Sequence, residues 1–292
     1  MSTSSQITSA TRLAAVIGSP VAQSLSPVIH NAVFEKLKVD WLYVAFNVLP
    51  ARVEDALTAM TTLGIGGLSV TMPHKNTVAE IVAQRGEVDQ VVRVTNSANT
   101  VVLRPNQSLW ATNTDGQGCC NALEQAMKSS IKGERVVVLG AGGTASAVVY
   151  ELLQRGASDV AVINRTPQRA QDLVKQVAGV ARVVSSNEIG NTISNSRIII
   201  NTTPVGFGSE QGSLVSPIDA SLIKPSHVVL DAVYKPLITG LLSSAQKAGA
   251  LVVDGLSMLV HQAALQQQHW IGQIGDTELM RESALAHLAR SN

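Results

Sequence analysis

Arg135-Val-Val-Val-Leu139 runs directly into Gly140-Ala141-Gly142-Gly143-Thr144-Ala145, and a helical pattern, Ala145–Leu153, begins at once. An apolar run, a glycine turn and a helix in immediate succession form the unit that opens a doubly wound α/β domain. Gly140 permits the tight turn. Gly142 lets a pyrophosphate approach the backbone. Ala145 takes the third small position, where helix and strand pack closely. The helix N-terminus offers free N–H groups and a partial positive charge to an anion. A glycine-rich turn without a ligand shares the bare pattern, but the strand–loop–helix context favours dinucleotide binding. The following strand, Val160–Ile163, indicates which dinucleotide. It ends in Asn164-Arg165-Thr166, with Arg169 one turn further. An NAD site usually places a carboxylate there for the ribose hydroxyls. This chain has none, and two guanidiniums with a hydroxyl suit a 2′-phosphate. NADP(H) is therefore favoured over NAD(H), the competing reading of both arginines being a solvated helix start.

Outward from this unit, short β-branched runs alternate with helical periodicity. Strands are expected at Leu13–Ile17, Leu42–Val48, Leu68–Met72, Thr100–Leu103, Val136–Leu139, Ile198–Asn201, Val228–Val233 and Leu251–Val253. Helices are expected at Pro27–Leu37, Val53–Leu63, Thr77–Gln84, Cys119–Met127, Arg169–Val177 and Leu237–Lys247, with two more at the end, Met258–Trp270 and Thr277–Leu288. Continuous apolar strands separated by helices indicate parallel sheets covered on both faces, hence the α/β class. A tail of two helices with no further strand suits packing back onto an earlier layer. Boundaries are expected near Asn113–Gly118 and near Asp254–Gly255.

Composition narrows the function classes. Of 292 residues, 45% are hydrophobic and 15% charged, so a core can form and disorder of the whole chain is excluded. The net charge is +1 and aromatics are 3%, which gives neither a field for nucleic acid or an anionic membrane nor stacking platforms for bases. No apolar stretch reaches the ~18 residues of a membrane span. Met1–Ala10 is Ser/Thr-rich without the basic start of a secretory signal and reads as a loose cytoplasmic tail. Cys119 and Cys120 are adjacent, too close to bridge each other comfortably, and suit core packing in a reducing compartment. The histidines show no metal-ligand spacing.

Four polar clusters stand against this background. Ser24-Leu25-Ser26-Pro27 leads into a helix. Ser26 is either an ordinary N-cap or, with Ser24 and the free helix N–H groups, a carboxylate holder. Ser69-Val70-Thr71-Met72-Pro73-His74-Lys75 ends a buried strand, the edge where ligands sit in parallel sheets. Lys75 there is a general acid or positive group, or else a solvated lysine. Asn99 and Asn113-Thr114-Asp115-Gly116 are polar turns. Asp254-Gly255-Leu256-Ser257-Met258-Leu259-Val260-His261-Gln262 reads as strand, turn and helix, with Gln262 either satisfied structurally or facing a ligand.

In this order, together with Gly18-Ser-Pro-Val-Ala-Gln-Ser24, Asn31, Asn201-Thr-Thr-Pro-Val-Gly206 and Asp231-Ala-Val-Tyr234, these segments resemble the shikimate dehydrogenase family over nearly the whole chain. The resemblance implies a substrate-binding domain, 1–114, completed by 255–292, and a Rossmann-type NADP-binding domain, 115–254, with the active site in the cleft. It implies a small-molecule substrate and NADPH-dependent reduction of 3-dehydroshikimate to shikimate by a cytoplasmic monomer or homodimer, without metal, nucleic acid or membrane. Ser24 and Ser26 would bind the substrate carboxylate. Thr71, Asn99 and Gln262 would hold ring oxygens, and Tyr234 would line the site. Lys75 and Asp115 would be the catalytic pair on the reacting hydroxyl. The cofactor would lie on Gly140–Ala145, Asn164, Arg165, Thr166 and Arg169, with Gly255 and Met258 near the nicotinamide. The chain departs from the family at Ser69, Ala98 and Ala111, where Asn, Val and Gly are frequent. That keeps open a quinate/shikimate enzyme of broader substrate or NAD use. A non-catalytic dinucleotide sensor is the further alternative, and retention of both Lys75 and Asp115 argues against it.

Overall fold

The structure is a computed structural model and describes residues 7–208 and 215–290. Of the expected N-terminal tail, residues 1–6 lie outside the described residues. Contacts divide the chain into two units, one running to Thr114 and resuming at Gln262, the other Asp115–His261. The second junction falls inside a continuous helix, seven residues beyond Asp254, because nothing in Gly255–His261 breaks helical geometry.

The first unit contains β1 (Arg12–Gly18), α1 (Ser26–Leu37), β2 (Trp41–Asn47), α2 (Val53–Leu63), β3 (Gly67–Val70), α3 (Lys75–Arg85), β4 (Glu87–Val88), α4 (Gln90–Thr95), β5 (Thr100–Leu103) and β6 (Leu109–Thr112). Its sheet order is β2-β1-β3-β5-β6-β4. This sheet is mixed rather than purely parallel, since β5 pairs antiparallel with both β3 and β6. β6 was not expected from the sequence. Arg104-Pro-Asn-Gln-Ser108 folds as a short loop, closed by Arg104 N–H to Ser108 O at 2.9 Å with Gln107 at φ +67°, and a hairpin results. β1 shows how the two-residue period builds the core. Ala15 and Ile17 enter one apolar cluster with Leu57, Met60 and Val82, while Ala14 and Val16 enter another with Phe34, Tyr43 and Trp270.

The second unit contains α5 (Asp115–Met127), β7 (Arg135–Leu139), α6 (Gly143–Gln154), β8 (Asp159–Ile163), α7 (Pro167–Val177), β9 (Ala181–Val183), α8 (Ile189–Ser194), β10 (Ile198–Asn201), β11 (Val228–Asp231), α9 (Gly240–Lys247) and β12 (Leu251–Val253). α10 (Gly255–Ile271) then carries the chain back to the first unit, where α11 (Thr277–Arg290) packs on α1. All pairings in this sheet are parallel, in the order β12-β11-β10-β7-β8-β9, as expected for a doubly wound fold. Val136 and Val138 of β7 face one covering layer, Val137 and Leu139 the other, and all four are buried. Burying each such side chain contributes roughly 1.5–3 kcal/mol before chain entropy is counted. Both cysteines are free and buried in this core, and α5 opens at Asp115 rather than at Cys119. No helix among the described residues is long and apolar enough to cross a membrane.

Candidate functional site

In the second unit, strand order reverses between β7 and β10, the position at which doubly wound sheets bind ligands. The glycine loop leaves β7 there. Gly140 sits at φ +114°, and a Cβ on it would lie 2.5 Å from Thr202 Oγ1. Only glycine satisfies both conditions. Thr202 in turn donates its hydroxyl to Leu139 O at 2.7 Å, so the loop after β10 buttresses the loop after β7. Gly142 caps α6, and a Cβ on it would meet nothing within 4 Å. Its glycine is thus not required by the protein's own packing. The open space lies at a helix N-terminus, where a pyrophosphate would be received. Gly143, Thr144 and Ala145 form the first turn, and Ala145 is fully buried. Beyond β8, Arg165, Thr166 and Arg169 are all exposed. Asn164 Nδ2 donates to Thr166 O at 2.9 Å, which shapes the turn that presents them. These residues fit a dinucleotide carrying a 2′-phosphate.

Asp115 is buried at the first turn of α5, and Thr144 of the glycine loop donates its hydroxyl to Asp115 Oδ2 at 3.2 Å. Asn201 and Asp231 end adjacent strands. Asn201 Nδ2 donates to Asp231 at 2.9 Å, Thr239 Oγ1 donates at 2.6 Å and Val233 N–H at 3.1 Å. Burial raises the Asp231 carboxyl above the usual carboxylate range, against these three donors. The clasp fixes the loop carrying Tyr234, a half-buried phenol also raised by burial. Gly255 admits no side chain, because a Cβ would lie 2.5 Å from Val233 O. Met258 is buried among the apolar residues beside Val253.

In the first unit, the carboxyl ends of β1 and β3 meet. A Cβ on Gly18 would lie 2.3 Å from Thr71 Cγ2, Thr71 N–H donates to Ile17 O at 3.0 Å, and Ser19 N–H donates to Met72 O at 3.0 Å. Lys75 follows as the first residue of α3, half-buried. Ser26 opens α1 and does not cap it. Leu25 occupies the cap position, and the Ser26 N–H donates to Ser24 Oγ at 3.2 Å. Both hydroxyls nevertheless stand at this helix N-terminus. A buried polar network surrounds Asn99. Its Nδ2 donates to Thr114 Oγ1 at 3.0 Å and to Gln262 Oε1 at 3.2 Å, and its Oδ1 accepts from Thr114 N–H at 2.8 Å. Gln266, one helical turn past Gln262, donates to Asn99 O and to Thr100 Oγ1, both at 3.0 Å, and accepts from Ser69 Oγ at 2.8 Å. Tyr43 donates to Ser69 Oγ at 2.6 Å. Burial raises the Tyr43 phenol despite its bonds to Ser69 and Ser26. Tyr43, Ser69, Thr114 and Gln266 were not singled out as site residues by sequence. The available signal was Gln266 lying four residues after Gln262, on the same helix face.

Known proteins bear on both halves. Residues 16–101 match the shikimate dehydrogenase substrate binding domain, 122–206 the shikimate/quinate 5-dehydrogenase family, and 255–285 the shikimate 5′-dehydrogenase C-terminal domain. A Methanopyrus kandleri protein named shikimate dehydrogenase (NADP(+)) is 38% identical over 296 residues, covering 99% of this chain and 100% of the relative. The Thermus thermophilus shikimate 5-dehydrogenase structure in complex with NADP(H) and shikimate is similar at TM-score 0.85 and 32% identity, covering 94% and 99% of the two chains. Quinate dehydrogenase from Corynebacterium glutamicum in complex with NAD is similar at TM-score 0.85 and 28% identity, covering 94% and 99%.

Proposed function

Because the chain belongs to the shikimate dehydrogenase family, we propose that it catalyses the reversible NADPH-dependent reduction of 3-dehydroshikimate to shikimate, a step of aromatic amino-acid (chorismate) biosynthesis. NADPH, when bound, supplies the hydride for the substrate ketone. The chain's own groups do the rest. The observation that carries the reading is the Asn99–Thr114–Gln262 cluster at the strand edge of the first unit. Buried amides and hydroxyls held at fixed orientations by one another suit a polyhydroxylated ring.

Negative charge develops on the substrate oxygen as the ketone is reduced. Lys75, as an ammonium, stabilises that charge and delivers the proton. Asp115 orients Lys75. Ser24 and Ser26 take the substrate carboxylate at the start of α1. Thr71, Asn99 and Gln262 hold ring hydroxyls, and Tyr234 lines the site. The backbone of Gly140, Ala141, Gly142, Gly143, Thr144 and Ala145 receives the pyrophosphate. Asn164, Arg165, Thr166 and Arg169 take the 2′-phosphate, and Gly255 and Met258 flank the nicotinamide. Residues 1–114 with the C-terminal helices form the substrate domain, and the segment between them forms the NADP domain. The protein works in the cytoplasm as a monomer or homodimer on a free small molecule.

The test is absorbance at 340 nm with shikimate and quinate crossed against NADP⁺ and NAD⁺. Strong reduction with shikimate and NADP⁺ alone is expected. Comparable rates with quinate or NAD⁺ move the protein to a broader-specificity enzyme. No turnover in any combination sinks the enzyme reading and leaves a dinucleotide sensor.

A further inference from the structure

Thr144 stands in the first turn of α6, within the glycine loop, yet its hydroxyl turns toward Asp115 Oδ2 at 3.2 Å. Asp115 is 5% exposed and begins α5, whose second residue, Gly116, packs so closely that a Cβ there would lie 2.2 Å from Ala147 O of α6. The two helix starts are therefore locked together by backbone contact. The hydroxyl spans them at the point where one carries the cofactor loop and the other the carboxylate. A backbone N–H of the loop is enough to receive a pyrophosphate, so nothing in cofactor binding requires a hydroxyl at this position. A hydroxyl donated to a buried carboxylate both selects one orientation of that carboxylate and stabilises it.

We propose that Thr144 is a positioning residue for Asp115, acting through its hydroxyl on the orientation of the carboxylate and not on the cofactor. This rests on the assignment of Asp115 to the proton-handling pair. The consequence is a coupling of two functions in one turn of helix. The segment that receives the cofactor also sets the carboxylate that prepares Lys75.

Thr144→Val keeps shape and removes the donor, and Thr144→Ser keeps the donor and removes the methyl. The measurements are kcat and KM for both substrates, NADPH binding by fluorescence without turnover, and thermal melting as a check on folding. For Thr144→Val, kcat falls about tenfold while NADPH affinity and melting temperature stay near those of the parent. Thr144→Ser restores kcat to within about twofold. Unchanged kcat in Thr144→Val overturns the inference. So does a loss confined to NADPH affinity, which makes Thr144 a cofactor contact. Asp115→Asn, assayed alongside, separates the two levels. If Asp115→Asn is inactive and Thr144→Val is normal, only the role of Thr144 fails. If Asp115→Asn turns over normally, the assignment of Asp115 fails and this inference fails with it.

Discussion

Lys75 illustrates how much at the residue scale depends on one strand ending. The strand stops at Val70, and the Thr71 N–H is held by Ile17 O, so the turn that follows delivers Lys75 to the first position of α3. In the proposed role of general acid it would contribute to turnover rather than to affinity. Lys75→Ala lowers kcat by about 10²–10⁴-fold with a much smaller change in shikimate binding, measured by steady-state kinetics and by titration of the inactive variant. Near-normal turnover removes Lys75 from the role. Arg165 and Arg169 carry the second prediction at this scale. Both are exposed beyond β8, with no carboxylate between residues 164 and 169. Replacing both by Ala weakens NADPH binding by roughly 100-fold and leaves NADH binding nearly unchanged. Equal losses for the two cofactors contradict recognition of the 2′-phosphate.

Two glycines with opposite environments separate packing from ligand binding at the element scale. Gly116 lies where α5 crosses α6, and a Cβ there would lie 2.2 Å from Ala147 O and 2.8 Å from Glu151 Cβ. Gly116→Ala forces the helices apart and costs about 1–3 kcal/mol in denaturant unfolding. Gly142 at the start of α6 faces open space. Gly142→Ala leaves unfolding within about 0.5 kcal/mol of the parent, yet weakens NADPH binding roughly tenfold because its methyl occupies the approach of the pyrophosphate. Equal effects of the two changes on stability contradict this division. The same glycines explain the helix starts. Asp115-Gly116-Gln117-Gly118 reads locally as a turn, which moved the expected start of α5 to Cys119. Gly255 likewise hid the first turn of α10, although close approach to Val233 O is what demands it. Local propensity penalises glycine in helices, and tertiary packing overrode that penalty at both sites.

At the scale of the whole molecule, the chain leaves its first unit and returns to finish it. Gln262 and Gln266 bond Asn99, Thr100 and Ser69, and Trp270 donates Nε1–H to Val101 O at 3.2 Å. A chain ending at His261 strands these buried polar groups, each worth about 1–3 kcal/mol when unpaired. The first unit of such a chain does not melt cooperatively, whereas residues 115–261, whose two apolar clusters are internal, keep theirs. Calorimetry on both fragments checks this. His30 adds a pH dependence. It is fully buried, stacked on Tyr43 with centroids 4.3 Å apart, and burial pushes its imidazole down to about 3. Its folded value lies below its unfolded value of 6.5, so the unfolded chain binds the proton first. Stability is therefore complete above that value and falls with pH toward the folded value, by at most about 1.4 kcal/mol per unit. Melting temperatures between pH 4 and 7 show the slope, and His30→Phe flattens it. An unchanged slope assigns the acid lability elsewhere.

Apolar runs punctuated by glycine determined by themselves the class, the strand–loop–helix unit of the second half and most strands, because buried parallel strands must be continuously apolar. The residue types at Lys75, Asp115, Asn164, Arg165 and Thr166, and their order along the chain, were also legible, since each sits in a polar segment that interrupts the apolar pattern. The hairpin of β5 and β6, the helix starts at Asp115 and Gly255, and the network joining Tyr43, Ser69, Asn99, Thr114, Gln262 and Gln266 were decided only in three dimensions. Hydrogen bonds between side chains some 160 to 200 residues apart, such as Asn99 to Gln262 and Ser69 to Gln266, leave no local period to read. Their partners are selected by burial, which forces each polar group to find a donor or acceptor wherever the fold has brought one within reach.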